Sequence, residues 1–356
     1  MDGTFQNAIV SLYPSEKVEI SVIIPVFDRK EYVIRAVKSV LNQTIPREKY
    51  QILVVKNFEC PDIDTFLEEN GVISIYNNGI SKSERVKAAF DVSTGNIISV
   101  LDDDDIFYEN KLEEVYTYFM DYPDLKLLIH DCDFYYEEEG VDERSIGRIR
   151  KYHERYDQLH QRDEMIIDGT PLEKQEKALI MRPGFVIPLN ACFSRDVING
   201  IEDLLVGGNF VIDVLPYYNS LMIEGKIIIT PKRLARYTVH QSAVHLATDI
   251  PLKEYINFRR NRSKIDVDDR IIHYKLVEGT LLETQERKAM FENYLLFLIF
   301  NGSSGNSEVT RVLYKEYAEA FSVALLKKII LFISKSRSKL LREIFIIMLY
   351  IRQRVL

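Results

Sequence analysis

Residues 97–105 read IISVLDDDD: an apolar run, Ile97 to Leu101, is followed at once by four aspartates, Asp102 to Asp105. The short apolar run predicts a buried strand. Four carboxylates at one strand end repel each other unless a cation lies among them, and Mg²⁺ and Mn²⁺ prefer such oxygen ligands. In open α/β sheets, ligands bind at the carboxyl ends of strands. The sequence therefore predicts a site for a divalent metal and a diphosphate at this strand end.

Three more apolar runs predict an α/β fold around this strand. They are Ile20 to Val26, Gln51 to Val55 and Val72 to Tyr76, each short and rich in β-branched residues. Asp28 is expected to cap the first helix, and Ser83 to Val92 is expected to form another. Strands that alternate with helices predict a Rossmann-like, mostly parallel sheet with helices on both faces.

The second half of the chain is predicted to continue the sheet and then to become helical. Tyr136 to Lys177 is charged without a clear period and is interpreted as an excursion from the sheet. Asn209 to Glu224 predicts a helix that starts near Asp213, and the sequence after His245 is helical apart from a break at 301–306. Further short strands are predicted at Leu127–His130, Phe185–Phe193 and Lys226–Thr230.

Composition and charge narrow the class of protein. The chain has 356 residues, 46% of them hydrophobic, which is enough for one large core and a smaller unit. A net charge of −8 argues against general nucleic-acid binding. Three cysteines without a CxxC spacing argue against disulfides or a zinc site. With no signal-peptide pattern at Met1–Lys17 and no apolar stretch near the roughly 20 residues that span a bilayer, we expect a cytoplasmic protein.

The segment 321–356 differs from the rest of the chain in charge. It has eight basic residues and one acid, so the remainder is strongly acidic. Two apolar stretches, Ala324–Ile333 and Leu340–Ile351, suit peripheral contact with the inner face of the cell membrane, with basic side chains at anionic headgroups. Two ordinary helices that pack on protein are the equal alternative. The candidate insertion residues are Phe332, Phe345, Ile346, Met348, Leu349 and Tyr350.

Two linked motifs resemble glycosyltransferase family 2. Residues 21–44, SVIIPVFDRKEYVIRAVKSVLNQT, are similar to the family's opening strand, turn and Ser-Val-Leu-x-Gln-Thr helix end. Residues 93–107, STGNIISVLDDDDIF, resemble its Ala-x-Gly-x-x-Ile and Asp-x-Asp-Asp segment. Two later stretches show a weaker resemblance: 190–197 to the family's acceptor-side strand and turn, and 236–242 to its Tyr-Arg-x-His-x-x-Ser segment. The resemblance implies a GT-A fold, a UDP- or GDP-sugar donor and inversion at the anomeric carbon.

The resemblance also implies roles for the aspartates. Asp102 and Asp104 take the positions of metal ligands for Mn²⁺ or Mg²⁺, and His240 would face the diphosphate or the metal. The physical reason agrees, since a divalent ion offsets the charge that develops on a leaving nucleoside diphosphate. The expected nucleotide-sugar-binding residues are Pro25, Val26, Phe27, Asp28, Asn57, Arg85, Asp102, Asp103 and Arg236.

Inversion by direct displacement needs one base that deprotonates the acceptor hydroxyl. The family supplies it from an acidic pair at a helix start, and the corresponding pair here is Ile212-Asp213, with only the second acid present. Asp213 is therefore the expected base. A plain helix cap is its alternative role, and Glu202 and Asp203 are competing candidates for the base.

Two positions depart from the family pattern. Its second strand usually ends in two aspartates, whereas this one ends in Lys56-Asn57, which leaves the identity of the nucleotide open. The family's Ala-Arg-Asn helix start is replaced around Arg85, which could reach phosphate or base, or be a solvated charge on a crossover helix.

These expectations divide the chain into three segments. They are an N-terminal extension, 1–17; a GT-A catalytic domain, 18–245, with a nucleotide-binding half, 18–108, and an acceptor half, 109–245; and a helical C-terminal region, 246–356. The expected function is metal-dependent sugar transfer to a glycan or lipid-linked acceptor, with homo-oligomerisation left open. A degenerate transferase that acts as a scaffold and a sugar nucleotidyltransferase are the alternatives, although the turn after the first strand lacks the latter's Gly-rich loop.

Overall fold

The computed structural model describes residues 18–79, 81–137, 163–181, 188–240, 250–302, 332–333 and 338–355. These residues divide into two compact units. One lies within Met1–Tyr135 and Asp157–Thr238, and the other within Tyr136–Tyr156 and Val239–Leu356. None of the helices in these ranges is both long enough and apolar enough to cross a membrane.

The first unit is built on a mixed β-sheet. Its described strands are β1 (Ile20–Pro25), β2 (Tyr50–Lys56), β3 (Ile73–Tyr76), β4 (Ile97–Val100), β5 (Ile106–Phe107), β6 (Leu125–Tyr136), β7 (Met165–Ile167), β8 (Ala191–Ser194) and β9 (Lys226–Val239). Their order is β3-β2-β1-β4-β8-β6-β9-β5, with β7 paired to β9. The first four strands in this order are parallel, whereas β8 runs antiparallel to β4 and β6. The predicted α/β class is confirmed.

Six described helices belong to the first unit and three to the second. The helices are α1 (Lys30–Leu41), α2 (Pro61–Glu69), α3 (Lys82–Val92), α4 (Lys111–Asp121), α5 (Pro171–Met181), α6 (Leu215–Met222), α7 (Leu252–Val277), α8 (Glu283–Asn301) and α9 (Lys339–Val355). Every residue of β1, β2 and β4 is buried, which explains why these strands read as continuous apolar runs.

The end of α1 fixes the segment that follows the four aspartates. The Gln43 amide donates to Tyr108 O (2.8 Å) and accepts from Leu112 N (2.8 Å). Ser39 Oγ accepts from Phe107 N at 3.2 Å. These side chains belong to the Ser-Val-Leu-x-Gln-Thr motif, so the motif acts by holding the aspartates' segment against α1.

A close approach between β1 and the turn before β4 requires Gly95. A Cβ atom there would lie 2.7 Å from the Ile20 backbone carbonyl carbon and 2.7 Å from Ser21 N, closer than real side chains come. Gly95 N instead donates to Ser21 Oγ at 2.9 Å. The glycine before the strand is therefore needed for the pairing of β1 with β4, which places their carboxyl ends side by side.

The prediction that Asp28 caps α1 is wrong. The helix starts at Lys30, and Arg29 stands at the N-cap position without a side-chain cap bond. Asp28 has φ of 60°, a left-handed conformation that aspartate tolerates better than most residues. Its carboxylate accepts instead from Asn57 Nδ2 at 2.8 Å, so the side chain joins the ends of β1 and β2.

Other boundaries differ from the predicted ones. In place of one helix over Asn209–Glu224, a 3₁₀ turn over Val211–Asp213 precedes α6, whose first turn contains a proline. β6 and β9 are longer than predicted, and α2 was not predicted. The excursion Tyr136–Lys177 contains β7 and the start of α5, while its residues 138–162, and 185–187 of the strand predicted at Phe185–Phe193, lie outside the described part.

The second unit corrects part of the membrane prediction. Phe345 and Ile346 of α9 are 3% and 5% exposed, because they pack in a cluster with Tyr255, Ile299 and Phe300. These two side chains are therefore core residues of this unit and unavailable for insertion into a bilayer. Other predicted insertion residues differ: Phe332 and Met348 are exposed, and Tyr350 Oη donates to Ile250 O at 3.0 Å. Residues 324–331 lie outside the described part.

Candidate active site

The aspartate turn, Asp102–Asp105, lies at the carboxyl end of β4 beside β1. Its side chains alternate in exposure: those of Asp102 and Asp104 are 25% and 14% exposed, whereas Asp103 and Asp105 are buried. Asp105 accepts from Thr238 N at 2.8 Å, which fixes the turn to β9. Burial and the neighbouring carboxylates raise the pKa of Asp105. The two carboxylates able to meet a ligand are thus those predicted as metal ligands.

Arg29 binds two members of the aspartate turn. Its guanidinium forms ion pairs with Asp103 and Asp104. Burial alone would lower the pKa of Arg29, but the carboxylates of the turn raise it further than burial lowers it. Burial raises the pKa of Asp103, and Arg29 opposes that shift. Since Asp103 is fully buried, its oxygens serve Arg29, and its predicted contact with a donor stays a prediction.

Lys82, the first residue of α3, joins the aspartate turn to the predicted base. Its Nζ lies 2.6 Å from Asp102 Oδ1 and 3.3 Å from Asp213 Oδ1, and the lysine side chain is only 10% exposed. Burial would lower the pKa of Lys82, but the two carboxylates raise it by more. We call these three residues the Lys82 bridge.

The start of α3 also fixes the segment that carries Asp213. Ser83 N donates to Asn209 O, and Ser83 Oγ accepts from Ile212 N, both at 3.1 Å. Asp213 ends a 3₁₀ turn, and the cap position of α6 is occupied by Val214, so Asp213 is not the plain helix cap. Of the competing candidates, Glu202 accepts from Gly200 N (2.7 Å). Asp213 is linked to the aspartate turn through the Lys82 bridge. Its role as base stays a prediction.

The predicted nucleotide-binding residues gather at the ends of β1 and β2. Asp28 N donates to Asn57 Oδ1 at 3.0 Å, in addition to the side-chain bond described above. The Arg85 guanidinium lies 4.8 Å from the centre of the Phe27 ring and donates to Gly79 O at 2.6 Å. Arg85 is 5% exposed, so the alternative of a solvated surface charge is wrong. Pro25 and Val26 are buried and Val26 N donates to Val55 O at 2.8 Å, so their predicted contact with a donor stays a prediction.

Lys56 does not bring an unpaired charge into this group. It is 4% exposed, and its Nζ lies 2.8 Å from Asp64 Oδ1 and donates to Phe58 O at 3.0 Å. The positive charge of Lys56, which departs from the family pattern, is therefore paired within the protein, on the side of α2.

Arg236 lies within β9, and His240 follows its last residue. Arg236 pairs with Ile106 of β5, and its guanidinium lies 4.5 Å from the centre of the Tyr135 ring. His240 is buried and belongs to the second unit. Its predicted contact with the metal or the diphosphate stays a prediction.

The residues present fit a divalent metal that takes few protein ligands. No group of three or more His, Cys, Asp or Glu side chains in the described residues is arranged to hold an ion alone. Asp102 and Asp104, both partly exposed, supply two carboxylates. Mg²⁺ is commonly bound by one or two carboxylates together with substrate phosphates, so this donor set suits a metal that arrives with a diphosphate. Their present partners are Lys82 and Arg29, and such a metal would replace Arg29 at Asp104.

Sequence reasoning missed Arg29 and Lys82. Arg29 follows Asp28, which was predicted to cap a helix, and Lys82 precedes Ser83, the predicted start of another helix. The available signal was charge balance, because four adjacent aspartates require nearby cations.

Comparisons with known proteins agree with this architecture. A family profile described as Glycosyl transferase family 2 matches residues 21–172. An uncharacterized glycosyltransferase of Rickettsia bellii is 33% identical over 109 residues, which cover 27% of this chain and 14% of that protein. Poly(ribitol-phosphate) beta-N-acetylglucosaminyltransferase TarP of Staphylococcus aureus is 26% identical over 106 residues, which cover 28% and 32%. The match thus spans a third or less of these relatives.

Among solved structures, the crystal structure of S. aureus TarS 1–349 has a similar fold. The TM-score is 0.50 at 12% sequence identity, over 88% of this chain and 77% of that one. The linked motifs, the family profile over residues 21–172 and the fold agree: this part of the chain is similar to glycosyltransferase family 2, and the fold is GT-A.

Proposed function

We propose that this chain is a metal-dependent inverting glycosyltransferase that moves a sugar from a UDP- or GDP-sugar to a glycan or lipid-linked acceptor. The observation that carries the proposal is the Lys82 bridge, which joins the predicted metal ligand Asp102 to the predicted base Asp213. A donor-binding carboxylate and a proton acceptor thus lie close together, bound to the same ammonium group, and a single-displacement reaction requires this proximity.

On the donor side, the chain offers one set of residues for the nucleoside and another for the diphosphate. Phe27, Asp28, Asn57 and Arg85 form a connected group for the base and ribose. Mn²⁺ or Mg²⁺ held by Asp102 and Asp104 would offset the charge that develops on the leaving diphosphate. If such a metal took the place of Arg29 at Asp104, the contacts of Arg29 with Asp103 would still hold it beside the turn.

On the acceptor side, Asp213 takes the proton of the attacking hydroxyl. The hydroxyl oxygen forms a bond to the anomeric carbon while the bond from that carbon to the diphosphate oxygen breaks, which inverts the carbon. The Asp213 side chain is 26% exposed, so a carboxylate oxygen can meet an acceptor from solvent. Lys82 holds this carboxylate in place relative to the aspartate turn.

The names of the relatives support the choice of donors for a first assay. TarP is named for transfer of N-acetylglucosamine to poly(ribitol phosphate), and TarS has been crystallised with UDP-GlcNAc. The pairing of Lys56 with Asp64 also removes one motive for a degenerate transferase, since the charge of Lys56 is satisfied within the protein.

Peripheral membrane contact through α9 is part of the proposal. Arg342 and Lys339 lie on the same helix as an exposed apolar set, which supports contact with an anionic surface. The exposed apolar residues are Leu340, Leu341, Ile344, Ile347 and Met348.

A thermal-shift panel of nucleoside diphosphates and nucleotide sugars, with and without Mn²⁺, tests the donor site. We expect a UDP or GDP compound to raise the melting temperature only when Mn²⁺ is present. Asp104→Ala should abolish this shift, whereas Asp91→Ala, which removes an exposed carboxylate of α3, should retain it. If no nucleotide stabilises the protein, or if Asp104→Ala responds like the wild type, the proposed donor site is wrong.

A further inference from the structure

A cavity of about 340 Å³ lies between α1, the segment after the aspartate turn and β9. Its charged lining residues are Arg35 and Lys38 of α1, Arg236 of β9 and Glu109, and Ser39 and Asn42 add polar groups. We call it the cationic cavity, because three cations face one acid. Its volume is at the lower end of the range of roughly 300–1,000 Å³ for small-molecule sites.

The cations of this cavity differ from those of the aspartate turn. Arg29 and Lys82 are paired with carboxylates, whereas the contacts that the structure records for Lys38 and Arg236 are with rings: Lys38 Nζ lies 5.9 Å from the centre of Phe66, and Arg236 lies over Tyr135. Arg236 Nε is buried and has no hydrogen-bond partner among the described residues. A buried guanidinium N–H without an acceptor costs free energy, which an anionic ligand would recover.

The chemistry of the lining favours a phosphate group. Guanidinium groups bind phosphate oxygens with paired, charge-assisted hydrogen bonds, and a nearby lysine adds a point charge. Two arginines and one lysine around one cavity suit a group that carries more than one negative charge. A cavity of this size has room for a phosphate on a small polyol or a single sugar, rather than for a whole nucleotide sugar.

The cavity communicates with the aspartate turn through Arg35, whose Nη2 donates to Asp104 O at 2.9 Å. Arg35 thus binds a backbone oxygen of the turn, whereas the proposed donor site consists of the carboxylates of Asp102 and Asp104. A ligand here would therefore contact a side chain that binds the aspartate turn, without occupying the metal positions.

We infer that the cationic cavity binds a phosphate group carried by a small polyol or sugar, and that this group belongs to the acceptor. The first half concerns binding alone. The second half rests on the proposed function, because the acceptor is the second substrate of the proposed sugar transfer. Arg236, predicted from sequence to contact the nucleotide sugar, is thereby assigned to the second substrate.

Calorimetric titration of the full chain, without added metal, tests the binding. The probes are glycerol 1-phosphate and inorganic phosphate, and we expect the former to bind more tightly because the cavity also holds its polyol. Lys38→Gln and Arg236→Gln should each weaken glycerol 1-phosphate about 10-fold, as expected for loss of a charged hydrogen bond. Lys232→Gln removes an exposed, Glu114-paired cation of the same strand and should bind like the wild type. Glu109→Gln should tighten binding several-fold by removing the one acid.

The possible results separate the two halves of the inference. If glycerol 1-phosphate does not bind, or if Lys38→Gln and Arg236→Gln bind it as the wild type does, the cavity is not a phosphate site. If UDP with Mn²⁺ competes with it, the phosphate is in the donor site and the inference fails. If inorganic phosphate binds as tightly, the assignment to an acceptor fails. If these variants weaken glycerol 1-phosphate binding as predicted but the protein transfers no sugar, the cavity is a phosphate site and the proposed function is wrong.

Discussion

Replacement of Lys82 by methionine removes the ammonium group of the Lys82 bridge and retains most of the side-chain volume. The wild-type Nζ lies 2.6 Å from Asp102 Oδ1 and 3.3 Å from Asp213 Oδ1. In Lys82→Met, two carboxylates face each other with no cation between them. We expect a loss of folding stability and, because Asp213 loses its positioning contact, a loss of turnover.

The size of the effect follows from burial. Removing one partner of a buried ion pair typically costs about 3–5 kcal/mol. The carboxylates are 25% and 26% exposed, so water screens them in part and we expect about 2–3 kcal/mol for Lys82→Met. Lys87→Met is the matched control, because Lys87 pairs with exposed Asp91 on the same helix and should contribute less than about 0.5 kcal/mol.

Urea unfolding followed by circular dichroism measures both variants, since the chain has no tryptophan to report by fluorescence. A second substitution, Asp213→Asn, should recover part of the loss, with a coupling free energy of about 1–2 kcal/mol between Lys82 and Asp213. If Lys82→Met is no more destabilising than Lys87→Met, or if the two losses add without coupling, the Lys82 bridge does not hold the site together. A displacement of the base by about 1 Å would also slow transfer by about 100-fold.

Three further predictions concern other parts of the chain. Burial and Arg270 lower the pKa of His273 to about 3 from 6.5, so its neutral form stabilises the fold above pH 6.5 and this contribution is lost as pH falls toward 3. Urea unfolding at pH 7 and pH 5 should show about 2 kcal/mol more loss in the wild type than in His273→Gln; equal losses would refute it. Phe345→Ala should destabilise the second unit by about 3–5 kcal/mol by opening its core, whereas unchanged thermal unfolding would contradict the packing. Met348→Ala should weaken binding to anionic vesicles without loss of stability, and failure of the intact chain to bind such vesicles would exclude the membrane contact.

The parts of the site that follow from short-range sequence pattern were predictable. The apolar run Ile97–Leu101 and the aspartates after it identify a strand and its ligand-binding end, and the structure places them beside β1. The motif residue Gln43 was recognisable by resemblance, although only the structure shows that it bonds to both Tyr108 and Leu112.

The cations of the site could not be predicted, because their role depends on contacts between distant parts of the chain. Lys82 and Asp213 are far apart in the sequence of the first unit, and no sequence periodicity indicates that they are in contact. Arg29 looked like part of a capped helix start, whereas the left-handed backbone at Asp28 moves the helix start to Lys30 and leaves Arg29 to the aspartates.

The prediction that Phe345 and Ile346 insert into a membrane failed for a related reason. A helix with apolar residues and basic flanks looks the same whether it meets a membrane or a protein core. Phe345 and Ile346 are buried only because Tyr255 and Phe300 lie opposite them, which composition cannot reveal.

The most direct test of the central claim is the rate of nucleoside diphosphate release from a UDP- or GDP-sugar in Mn²⁺, compared between the wild type and Asp213→Asn with donor binding measured alongside. The account predicts that Asp213→Asn binds the donor as the wild type does and releases diphosphate at least about 100-fold more slowly, because only the base is lost. Equal turnover in the two proteins would contradict the assignment of Asp213 as the base that the Lys82 bridge positions.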